Sequence, residues 1–216
     1  MSGWVLVYVA VAAGLVAAWA IVRRDSYAEV TAAPAYTGSD AERKTYADDR
    51  GTRLAGMHEF AGFADRDPAL RQDFVDQFFV QLGYGWRETG AWPAELWPVL
   101  LARLRPASPR FWPGMDLHPK SAVLQGVDLR GCEIRNAIFH GVHFFGDVHF
   151  DHAVFTGLVS FEGAHFARHA YFGAARFEIG ADFGNTTFTG TAAFAGASTD
   201  GETWFDDARF SARTDF

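Results

Sequence analysis

The sequence predicts a mainly β chain wound as a solenoid, with a small helical block and one N-terminal transmembrane helix ahead of it. Three observations carry this. Phenylalanine recurs at 150, 155, 161, 166, 172, 177 and 183, in alternating steps of five and six. The residue two places before each of these from Phe155 on is alanine or valine. Residues 4–22 contain no charged or strongly polar side chain. The alternating beat fits neither a 3.6-residue helix nor a two-residue strand and marks a repeat.

The run Trp4–Val22, 19 residues long, would reach roughly 28 Å as a helix, close to the hydrocarbon thickness of a bilayer. Trp4 and Trp19 stand near its ends, where amphipathic rings favour the interface. No base precedes the run, which counts against a cleavable signal peptide; Ala33-Pro34-Ala35 resembles a cleavage site but lies well past Arg23 and Arg24. Those two arginines place residues 25–216 on the cytoplasmic side of the cell membrane, behind a single-pass anchor of residues 1–24. Residues 25–50 read as a juxtamembrane linker, polar and without a sustained apolar period, that can turn helical from Ser39 or Asp40.

Residues 51–112 form the expected helical block, which covers the start of the solenoid. Leu54, Met57, Phe60 and Ala61 mark a first helix. Asp67 is an N-cap candidate and Pro68 suits a first helical position; Leu70, Phe74, Phe78 and Leu82 then recur every four residues until Gly83 ends the run. A third helix lies between Pro93 and Pro106, and Pro98 should kink or divide it.

The repeat region spans residues 113–216. Leu124, Leu129, Ile134, Phe139 and Phe144 follow in steps of five. Phe150, Phe155, Phe161, Phe166, Phe172, Phe177, Phe183, Phe188, Phe194, Thr199, Phe205, Phe210 and Phe216 continue in sixes and fives. The smaller partner series runs from Ala122 and Val127 to Ala208 and Thr214, and neither series contains a charge. Leu124 to Phe210, Thr199 excepted, is the predicted structural core. Cys132 stands in a small inward slot and reads as a buried hydrophobe.

These residues resemble the pentapeptide-repeat family. "AVLQGVDLRG" is similar to its ordinary form and "FDHAVFTGLVSFEGAHF" to its Phe-rich eleven-residue variant, over about 95 residues. The resemblance implies a right-handed quadrilateral β-helix with four repeats per coil. Eighteen large positions then give about four and a half coils, a rod of about 22 Å at sheet spacing. Upstream, "TRLAGMHEFAGFADRDPALRQDFVDQFF" resembles the helical segment of actinobacterial membrane-anchored members of the family.

Composition narrows the function. From Ser121 onward 12 acids face 6 bases, a poor match for a nucleic acid backbone. One cysteine excludes an internal disulfide framework. His143 and His165, 22 residues apart, should stack on adjacent coils and are weak metal candidates, with Asp147 or Asp151 nearby; no fixed-spacing motif supplies the three or four ligands a site needs. No catalytic constellation and no cofactor motif is present, so the chain reads as non-enzymatic. The expected role is a membrane-tethered scaffold for an unidentified protein partner. The alternative is an acidic DNA-mimic rod that binds a topoisomerase such as gyrase, as the resemblance implies for some family members. The last coil departs from the pattern at Thr199 and Trp204, and two chains are expected to meet end to end through Phe205, Phe210 and Phe216 as a homodimer.

Overall fold

The computed structural model describes residues 40–89, 94–119 and 123–216. The apolar run Trp4–Val22, Arg23 and Arg24, linker residues 25–39, Pro93 and Ala122 lie outside the described residues. Among the described residues no helix is long and apolar enough to cross a membrane.

Among the described residues, four α-helices come first. α1 (Asp40–Thr45) packs on α2 (Arg50–Arg66), so the helical block takes in the end of the stretch read as linker. Asp49 caps α2 by accepting from the Thr52 amide at 2.8 Å. Met57, Phe60, Ala61 and Ala64 follow at helical spacing and are all buried. Asp67 closes α2 and caps a 3₁₀ turn over Pro68–Leu70, which leads into α3 (Arg71–Thr89). Gly83 therefore lies inside α3 and does not end it: a mid-helix glycine costs only about 1 kcal/mol relative to alanine, and Phe74, Val75, Phe78, Phe79 and Leu82 anchor the helix before it. Pro98 divides the third predicted helix. A 3₁₀ turn covers Ala94–Leu96, and α4 (Trp97–Leu104) starts with Pro98 in its first turn, where no amide donor is needed.

From Leu117 onward the chain winds into a right-handed β-solenoid of about four turns. Its strands form four parallel sheets, one of five strands and three of four. The five-stranded sheet contains the strands Val123–Gln125, His143–Phe145, His165–Phe166, Thr187–Phe188 and Arg209–Phe210. Its register pairs Leu124 with Phe144, then Phe144, Phe166, Phe188 and Phe210 in steps of 22 residues.

Inside, the rings stack in columns. Phe144, Phe166, Phe188 and Phe210 lie 4.6, 4.8 and 4.9 Å apart, within 6° of parallel. Phe150, Phe172, Phe194 and Phe216 form a second column, and Phe139, Phe161, Phe183 and Phe205 a third. Ile134, Phe155 and Phe177 make the fourth, which stops at exposed Thr199. Neighbouring columns meet edge to face, as with Phe161 and Phe172 at 84°. Leu124, Leu129 and the series from Ile134 to Phe194 are buried, Phe205 and Phe210 are half-buried, and Phe216 is 75% exposed.

The two step lengths have different corners. Eight corners, all in five-residue steps, share one turn in which the residue after next from the large one has positive φ: Gly131, Gly141, His152, Gly163, Ala174, Asn185, Gly196 and Asp207. The following small residue donates back to the large one's carbonyl, as Ala175 does to Phe172 at 3.0 Å, closing a turn with the type II signature. In three of the six-residue steps an amide instead bonds to a side chain one coil below. Asn136 Oδ1 accepts from the Leu158 amide at 2.8 Å, and His169 Nδ1 accepts from that of Thr191 at 3.1 Å.

Two predictions follow from this interior. Phe172→Ala should destabilise the chain by about 3–5 kcal/mol through lost burial and a cavity, while His165→Ala should change stability by less than about 0.5 kcal/mol; urea melts compare them, and equal losses contradict the inward register. Ala174 holds φ 51° without being glycine. Ala174→Gly should therefore stabilise by about 1 kcal/mol and Gly163→Ala destabilise by a similar amount, read as opposite shifts of the same melting midpoint.

Candidate interaction face

Each sheet turns one set of side chains outward, and the four sets differ in charge. On the five-stranded sheet the outward residues of the strands are Val123, Gln125, His143, Phe145, His165, Thr187 and Arg209. None is a carboxylate. The sheet holding Ile134, Phe155 and Phe177 carries Glu133, Arg176 and, beside its strands, Glu178 and Asp200. The sheet holding Ala137, Val159 and Ala181 carries Asp182 and Glu202 in its strands, and the remaining sheet carries Asp215.

The predicted metal pair lies on the five-stranded face. His143 and His165 pair across adjacent strands with ring centroids 5.4 Å apart at 74°, and His165 Nε2 lies 3.0 Å from Thr189 Oγ1. Among the described residues no group of three or more His, Cys, Asp or Glu is placed to hold a metal ion. Three other histidines are engaged elsewhere. His149 stacks on Tyr171 at 4.8 Å and approaches Asp151, His140 faces Glu162, and His169 supports a corner amide. No local pattern in the sequence marks His169 for that corner role. Phe145 stands out on the same face, 47% exposed beside the two imidazoles. It directly follows the inward Phe144, so its size alone does not mark it as outward.

Several acids of the solenoid are tied to arginines. Arg176 reaches Asp200 on the next coil at 2.9 Å, and Arg168 reaches Asp147. Arg130 grips Asp128 through both oxygens, and its hydrogen bonds hold the Asp128 carboxyl below its ordinary value against the opposing effect of burial. Asp116 ties the helical block to the first coil. Its amide donates to Gln72 of α3, Gln72 donates back to its carbonyl, and Arg135 donates to both carboxylate oxygens at 2.8 and 2.7 Å. Burial, the largest effect on Asp116, pushes its pKa up, but Arg135 and the Asn136 amide together outweigh it and leave the group below its usual value. Cys132 is inert by position: burial pushes its thiol up to about 12.

Residues 150–198 match the family model described as pentapeptide repeats, nine copies. The matched segment is the part of the solenoid with the most regular Phe columns. Comparison with curated proteins and with solved structures gives no match.

The Asp116 clamp predicts an acid limb. A carboxyl whose folded pKa is depressed contributes stability above its unfolded value, which is lost as pH falls through the folded value. Asp116→Asn should cost about 1.5–3 kcal/mol at pH 7, and the gap to the unsubstituted chain should narrow below about pH 4. Urea midpoints at pH 7 and pH 3 measure it; a gap independent of pH contradicts a charged clamp.

Proposed function

We propose that this repeat protein is a non-enzymatic, membrane-tethered scaffold whose contact surface is the five-stranded face of the solenoid. One observation carries the reading: that face alone among the four has no carboxylate on its strands, and it presents Phe145 beside His143 and His165. Exposed aromatics with little competing charge are typical of the centre of protein contacts. The inward columns leave these outward positions free to vary without cost to the fold. The tether rests on the apolar run Trp4–Val22 and the arginines that follow it.

Imitation of DNA by an acidic rod is less well supported. Such a surface needs charge that is free to meet a cationic partner, and Asp116, Asp128, Asp147 and Asp200 are each paired with arginine. The test is photo-crosslinking of the full chain in its own membranes. A crosslinking side chain in place of Phe145 should trap a discrete adduct, and one in place of Ser198, exposed on another sheet, should not. Adducts of equal yield from both positions, or from Ser198 alone, overturn the assignment of the face. A reporter fused after Phe216 should be active only if it works in the cytoplasm.

A further inference from the structure

An open cleft of about 540 Å³ lies between α2 and α4. Its floor is apolar and small: Ala61 and Gly62 from α2, Val99 and Ala102 from α4. Its rim is cationic. His58, Arg66 and Arg110 line it, all exposed, and none has an ion-pair partner among the described residues. Arg66 lies over the exposed ring of Phe63, 4.9 Å from its centroid.

The one carboxylate in the cleft is already neutralised. Asp65 is held by Arg103 through both oxygens, at 2.6 and 3.1 Å, and Arg103 also donates to the Val99 carbonyl. Two uncompensated guanidinium groups therefore flank an apolar seat on a chain whose net charge is −7. A concave seat of this size holds a short stretch of peptide. A bilayer surface is broad and nearly flat and would meet the rim without filling the floor.

We propose that this cleft binds an acidic peptide segment of a partner protein, with one apolar side chain on the Gly62 floor and flanking carboxylates on Arg66 and Arg110. The site is built from the helical block alone, so it stands or falls independently of the solenoid face. Gly62 gives a direct probe. A Cβ built there meets nothing within 4 Å, so a larger side chain enters the cleft without displacing a neighbour.

The experiment is fluorescence anisotropy with the full chain in lipid nanodiscs. The probe is a labelled heptapeptide with a central leucine flanked on each side by two glutamates. Saturable binding is expected. It should weaken by at least about tenfold, or 1.4 kcal/mol, with Arg66→Glu, with Arg110→Glu and with Gly62→Leu. Peptides with glutamine for glutamate, or glycine for leucine, should lose it as well. Binding that survives Gly62→Leu, or that is equal for the glutamine peptide, overturns the proposal. So does absence of peptide binding when the arginine variants lose affinity for phosphatidylserine nanodiscs, which would assign the cations to lipid. Gly62→Leu replaces a helical glycine and should melt no lower than the unsubstituted chain, which separates lost binding from lost folding.

Discussion

Everything in the solenoid depends on the parallel stacking of phenylalanine rings, one coil upon the next. A ring in one coil lies within about 5 Å of its counterpart 22 residues on, and meets its neighbours in the adjoining columns edge on. Both arrangements suit the ring quadrupole. Because four such columns fill a square interior, a coil that slipped by one residue would exchange its large side chains for outward polar ones. The backbone ladder and the corner turns add to this register but do not choose it. Parallel bonds between coils would form equally well one residue out of step.

That constraint divides the surface from the core cleanly. Inward positions accept only a large or a small apolar group, while outward positions are limited mainly by their neighbours above and below. Cross-coil ion pairs such as Arg176 with Asp200 use that freedom on one sheet. The five-stranded sheet uses it differently, with imidazoles, hydroxyls and one bare aromatic ring. Where the solenoid begins, Leu117 already pairs with the coil above, and Trp112 lies buried against Phe74 of the helical block. Buried side chains of helices and solenoid thus form a single apolar cluster.

The Phe columns could be read directly from the sequence, since their period is fixed by ring stacking and the sequence repeats it. The corners were only half legible. Gly131, Gly141, Gly163 and Gly196 announce a left-handed backbone, but His152, Ala174, Asn185 and Asp207 occupy the same conformation without glycine's signature. Gly83 misled in the opposite sense, because burial of the preceding turns outweighs one weak helical residue. The carboxylate-free face emerges only when outward residues are grouped by sheet, which needs the 22-residue register as well as the beat. The cleft between α2 and α4 was beyond reach. Gly62 and Ala102 lie 40 positions apart in the sequence, and no local pattern says that they share a floor.

A double-mutant cycle on one stacked pair tests the central claim most directly. Phe150 and Phe172 stack at 5.0 Å and 10°. Replacing each by leucine, singly and together, and measuring unfolding in urea isolates the ring–ring coupling from general burial. If stacking sets the register, the coupling should be about 0.5–1.5 kcal/mol in favour of the intact pair. Losses that add within about 0.3 kcal/mol would mean that the rings act only as apolar filling, and would contradict the account.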